Sequence, residues 1–131
     1  MKRITLLMAA LMVLSLMAVG CNAKKKEEAP KVVGSEAQVT ATLKLIGTTR
    51  ASNLPFLDTH AAMRDNINSL EGVANSLAQA PGNGQLQRMF GAALDQAIAR
   101  ADIIAKRASE SADDKKRAAE LRDKLTAIRK S

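Results

Sequence analysis

The chain has no tryptophan, no tyrosine and only two phenylalanines among its 131 residues. Aromatic faces stack bases in single-stranded nucleic-acid grooves and line many sugar and peptide clefts, so neither kind of binding is expected, and no nucleic-acid partner is. Cysteine occurs once, at Cys21, and histidine once, at His60. One cysteine leaves no disulfide within the chain, so the fold must hold by packing alone. No serine is placed by a glycine elbow or by helical spacing beside His60, so a nucleophilic triad is not expected, nor any enzymatic activity or cofactor.

What remains is aliphatic and charged: 47% of residues are hydrophobic and 25% charged, which fits one small globular domain. The formal charge of +7 is unevenly spread. Six basic against three acidic residues give +3 over 22–52, three against five give −2 over 53–104, and nine against five give +4 over 105–131. Both ends are basic and the middle is not.

The amino terminus has the parts of an export signal: Lys2 and Arg3, an apolar run from Ile4 to Val19, and small residues before a cleavage point. The run is shorter than the roughly 20 residues that span a bilayer. Its end, Ala18-Val19-Gly20-Cys21, resembles the lipobox of bacterial lipoproteins. That resemblance implies removal of residues 1–20, a diacylglycerol on the Cys21 thiol, and dual or triple acylation that gives stable membrane anchoring. Asn22, where the family's inner-membrane members carry aspartate, implies the periplasmic face of the outer membrane. Residues 21–35, with Lys24, Lys25, Lys26, Pro30 and Gly34, then read as a lipidated, disordered tether. A flexible segment of that length spans roughly 20 Å root-mean-square.

The folded body is expected over 36–131 and to be all-α. Residues 36–46 fit two patterns. Val39, Ala41, Leu43 and Leu45 alternate as in a strand, whereas Ser35 could cap a helix with Val39, Leu43 and Ile46 on one face. A lone strand would leave its backbone unpaired, so a short helix is preferred. Phe56, His60, Met63, Ile67, Leu70, Ala74 and Leu77 then recur at four-three spacing and predict a helix over about 54–80, with Pro55 in its first turn. Pro81-Gly82-Asn83-Gly84 stops it, and Phe90, Leu94, Ala97, Ala101, Ile104 and Ala108 predict another over about 85–108. The two form a hairpin in which facing residue numbers sum to about 164. Leu70 meets Leu94, His60 lies near Ile104, Asp58 approaches Lys106 and Asp65 approaches Arg100. Ser111 and Asp114 form a capping pair that opens a helix over 112–129, with Ala118, Leu121, Leu125 and Ile128 facing inward, although a continuous bent helix from 85 onward is also compatible. The expected fold is a helical hairpin extended to a small three-helix bundle.

Two surfaces could carry function. Lys115, Arg122 and Arg129 recur every seven residues along one flank of the last helix and suit a protein or anionic envelope partner, whereas Asp113, Arg117, Glu120 and Lys124 on the other flank satisfy one another. His60 and Met63, one turn apart, are weak candidates for a metal, a pair that soft copper could use. The favoured reading is a lipid-anchored, non-enzymatic, partner-binding module of the envelope. The alternative is a periplasmic carrier of copper or a small ligand around His60 and Met63.

Overall fold

In a computed structural model the protein is described over residues 33–131. The signal segment, Cys21 and most of the tether lie outside those residues. The described part is helical throughout, without a strand. Its elements are α1 (Glu36–Ser52), α2 (Leu54–Thr59), α3 (Ala61–Gln79), α4 (Gly84–Lys106) and α5 (Ala112–Lys130). None of the described helices is long and apolar enough to cross a membrane.

The segment 36–46 is a helix, and it runs on to Ser52, past Gly47. Its buried face is Val39, Thr42, Ile46 and Thr49, a three-four-three spacing in which two of the four positions are threonine. Thr48, Thr49 and Ser52 bond back to the carbonyls of Lys44, Leu45 and Thr48, which lets these three continue the helix with their hydroxyls paired, whereas the buried Thr42 Oγ1 has no partner among the described residues. At its start Ser35 Oγ accepts the Gln38 amide N–H at 3.2 Å, and Gln38 Oε1 accepts the Ser35 N–H at 3.1 Å, a reciprocal capping box. The body begins just before this cap. Val33 packs against the core. Gly34 has φ +111°, and a Cβ there would come within 3.0 Å of both Leu77 and Gln87, so only glycine fits.

The helix expected over 54–80 is interrupted at His60, which has φ −126° and ψ 74°. The cause is local. His60 Nδ1 lies 2.8 Å from the Phe56 carbonyl, the group its own backbone N–H would use in an unbroken helix, and that N–H turns to Leu57 O at 3.2 Å. Thr59 Oγ1 also reaches the carbonyls of Pro55 and Phe56. Side chains therefore replace the backbone ladder for one turn. Beyond the turn at Gly82, φ +85°, Asn83 caps α4 by accepting the Leu86 N–H at 3.0 Å. A real break separates α4 from α5: residues 107–111 form a turn, and Ser111 Oγ accepts the Asp114 N–H at 3.1 Å.

The helices alternate in direction. Gln38 meets Ile128 and Asn53 meets Arg117, so α1 is antiparallel to α5. Val39 and Leu77 share a cavity wall while Arg50 pairs with Glu71, so α1 is also antiparallel to α3. Asp102 pairs with Arg122 and Asp95 with Arg129, which sets α4 against α5. Among the described residues the bundle thus has four members, with α1 lying along two others instead of across one end, and α2 as a short step between α1 and α3. The core holds Met63, Ile67, Leu70, Ala74 and Leu77 of α3, Phe90, Leu94, Ala97, Ala101 and Ile104 of α4, and Ala118, Leu121 and Leu125 of α5. Ala108, expected in that stripe, lies in the exposed turn. The small Ala97 and Ala101 allow α4 to pack closely on its neighbours.

Candidate functional site

The break at His60 and the turn at 107–111 fall at the same end of the bundle, because α3 and α4 run antiparallel in the expected register. His60 and Ile104, whose numbers sum to 164, line one cavity of about 400 Å³ together with Thr59, Met63, Arg100, Arg107, Glu110 and Asp114. A second depression of about 300 Å³, at the opposite end beside Gly34, Val39 and Leu77, has Glu36 as its one charged wall residue. The first is the richer in chemistry.

His60 is held on both nitrogens. Nδ1 lies 2.8 Å from Phe56 O, with Thr59 Oγ1 at 3.1 Å, and Nε2 lies 2.8 Å from Glu110 Oε1. The imidazole and the Glu110 carboxylate are only 9% and 13% exposed. Phe56 stacks at a tilt on the ring, centroids 4.6 Å apart. Glu110 Oε2 accepts from Arg107 Nη1 at 3.2 Å, so the carboxylate is gripped from two sides. Burial works against a charged imidazole. The hydrogen bond with Glu110, the Phe56 carbonyl and the nearby charges of Glu110 and Asp114 outweigh it and raise the His60 pKa. The hydrogen bond from His60 in turn holds the Glu110 carboxyl below its usual range, against burial and with help from Arg107.

Asp114 completes the cluster: one ligating atom each from His60, Glu110 and Asp114 can be drawn within 4.8 Å of one another. Arg100, which lines the same cavity, brings a guanidinium whose Nε is buried without a hydrogen-bond partner among the described residues. Among the described residues no serine or cysteine lines this cavity; its single hydroxyl is that of Thr59, already bonded to backbone carbonyls.

His60 and Met63, the pair singled out in the sequence, do line one cavity, but Met63 is wholly buried in the core while His60 turns to Glu110. Glu110, Asp114, Arg100 and Arg107 were not foreseen there. Arg100 and Lys106 were instead expected opposite Asp65 and Asp58, whereas Lys106 holds Asp102 at 3.0 Å and Arg100 faces the cavity. Extended past Ile104, a register summing to 164 sets residues 107–114 opposite 57–50, beyond His60, so the pairing with Glu110 depends on the turn at 107–111.

The basic flank of α5 is largely engaged within the molecule. Arg122 Nη1 reaches Asp102 at 2.8 Å and Arg122 Nε reaches Asp123 at 3.0 Å, while Arg129 Nε meets Asp95 at 2.5 Å. Lys115 is half-buried at the start of the same helix. The unbalanced positive charge expected on this flank is therefore offset by two α4 carboxylates. On the other flank Arg117 bridges to Asp113, as expected, and also to Asn53.

The fold defines a class, a small up-and-down helical bundle with a charged cavity at one end. No protein-family profile, curated protein or solved structure matches the chain.

Proposed function

We propose that the chain is a lipid-anchored, non-enzymatic helical module of the cell envelope, tethered through acylated Cys21 at the periplasmic face of the outer membrane and acting by contact with another envelope component. The anchoring part rests on Ala18-Val19-Gly20-Cys21 and the export signal before it. The contact part rests on one observation, the outer face of α4. Met89 and Ile103 are 45% and 46% exposed, with Ala92, Gln96 and Ala99 exposed between them at alternating three-four spacing. That strip is about 21 Å long, two large apolar anchors separated by two alanines and one glutamine, over which a partner surface can close. The Lys115, Arg122 and Arg129 flank is the weaker contact surface, since two of its three charges already serve α4.

Two measurements test this reading. Cys21→Ser should give an unprocessed precursor that no longer partitions into detergent as the mature lipoprotein does; normal processing to a soluble form would remove the anchor. A photo-crosslinking residue at Ile103 should give a discrete adduct in the envelope, and one at exposed Ser69 on α3 should not. Equal labelling from both positions would remove the α4 contact.

A further inference from the structure

We propose that His60, Glu110 and Asp114 form a binding site for one divalent cation of borderline to hard character, Zn²⁺ or Mn²⁺, which competes with a proton for His60. The inference is independent of the anchor and of the α4 face.

Its first support is the protonation state that the hydrogen bonds force. Phe56 O can only accept, so Nδ1 must carry a proton. Nε2 then faces Glu110 Oε1 at 2.8 Å, and two lone pairs at that separation need something positive between them. A proton supplies it, making an imidazolium. A metal ion can take the proton's place with the imidazole neutral, seated to one side of the Nε2–Oε1 line because its bonds of about 2.0–2.2 Å are longer than half that separation.

The second support is the surrounding geometry. Ligand atoms around a cation with bonds of about 2.0–2.2 Å lie roughly 3 Å apart. Nε2 and Oε1 are already close to that spacing, and a carboxylate oxygen of Asp114 lies within 4.8 Å of both. The outer contacts are those of a ligating histidine and carboxylate: Phe56 O fixes Nδ1 so that Nε2 presents its lone pair, and Arg107 holds the second Glu110 oxygen. The cavity of about 400 Å³ leaves room for water to complete the coordination. One nitrogen and two carboxylates form a harder donor set than copper(I) prefers.

Arg100 and Arg107, which line the same cavity, oppose a bare dication. They favour one that brings an anionic fourth ligand, such as chloride or phosphate, and Arg100, with its unpartnered Nε, is placed to take that anion. Because His60 lies between α2 and α3, Glu110 between α4 and α5, and Asp114 in the first turn of α5, a bound ion would clip both connections at this end of the bundle.

Calorimetric titration of the untagged full-length chain in detergent tests the site, with Cys21→Ser present to remove a competing thiolate. At pH 7.5 Zn²⁺, and more weakly Mn²⁺, should bind with one ion per chain. Below the His60 pKa the apparent affinity should fall about tenfold per pH unit as one proton is displaced per ion. His60→Ala should abolish binding, Asp114→Asn should weaken it at least tenfold, and Asp58→Asn, outside the cluster, should leave it unchanged. Should His60→Ala fail to fold, Asp114→Asn decides, because that side chain accepts no hydrogen bond that the fold needs. Absence of Zn²⁺ and Mn²⁺ binding at 1:1 stoichiometry, or binding indifferent to Asp114→Asn, would overturn the proposal and leave an ordinary imidazolium–carboxylate pair.

Discussion

Gln38 and Ile128, ninety residues apart, join the first helix to the last: the Gln38 Nε2 amide donates to the Ile128 carbonyl at 2.9 Å. That carbonyl belongs to the last turn of α5 and also accepts from the Ser131 N–H at 3.2 Å and the Ser131 hydroxyl at 2.7 Å, so Gln38 adds a tie from another helix to the α5 cap. The same side chain receives the Ser35 and Gly34 N–H groups on its oxygen, so one buried amide serves the start of α1 and the end of α5 together.

Gln38→Ala should therefore do more than remove a cap. It strands the buried Gly34 N–H and the part-buried Ser35 N–H and removes the tie to α5, and such losses cost about 1–3 kcal/mol. Urea unfolding followed by helical circular dichroism should show a lower midpoint with an unchanged slope. Gln38→Glu, which keeps the acceptor and loses the donor, should fall between the two.

Gly34→Ala tests whether the body begins before α1. The residue sits at φ +111°, and an added methyl would press on Leu77 and Gln87 at 3.0 Å. A strained backbone of that kind costs about 1–3 kcal/mol. Gly47→Ala is the control: nothing lies within 4 Å of a Cβ there and the position is mid-helix, so stability should rise by about 0.5–1 kcal/mol. Equal effects of the two changes would place Gly34 outside the folded unit.

How much of this was readable in advance depended on what filled the buried positions. The α3–α4 hairpin was open to inspection because Met63, Ile67, Leu70 and Leu77 face Phe90, Leu94 and Ile104 at helical spacing across a Pro-Gly turn. The length of α1 was obscured because Thr42 and Thr49 occupy its buried face, so a count of hydrophobic residues sees alternation where the backbone has a helix. The break at His60 could not be found from periodicity, since Phe56, His60 and Met63 keep the four-three rhythm across it. It arises from a side chain taking a backbone carbonyl. The candidate site drew on Glu110, fifty residues away in a turn without pattern, which a register summing to 164 sets opposite Leu54 and not His60.

Charge reversal on α5 separates a free basic flank from an engaged one. If Arg122 and Arg129 were simply solvated, changing Lys115, Arg122 and Arg129 together to glutamate would leave melting nearly unchanged. In the bundle those changes set glutamates against Asp102, Asp123 and Asp95. Unpairing surface bridges alone has a small effect, but like charges across the α4–α5 seam add repulsion to the loss. The triple variant should melt several degrees lower at low salt, and salt should recover part of the difference as it screens charges beyond about 8–10 Å. Adding Asp95→Lys and Asp102→Lys should restore much of the melting temperature.

His60 should make stability depend on pH in a definite direction. Its pKa is raised on folding, so in metal-free protein the imidazolium state contributes stability that is fully present below the unfolded-state value of about 6.5 and is lost as pH rises through the folded value. Glu110 has the opposite sense: its pKa is lowered, so its contribution is present above the ordinary carboxylate range and is lost as pH falls through the folded value. The pair is therefore most stabilising in the window between them, above the carboxylate range and below the folded His60 pKa. The charged groups around the ring come from the α4–α5 turn (Arg107 and Glu110), α4 (Arg100) and α5 (Asp114), so a local pH response has to be read from His60 itself. As the only imidazole in the chain, its ring-proton resonance gives that titration directly. The midpoint should lie above about 6.5 in the metal-free protein. Glu110→Gln should move it down, since the amide keeps a hydrogen-bonding oxygen but removes the charge. In chemical unfolding between pH 5 and pH 9, the wild type should lose stability relative to Glu110→Gln as His60 deprotonates. A His60 midpoint below 6.5, or one unmoved by Glu110→Gln, would mean that the ion pair does not set the charge of this histidine.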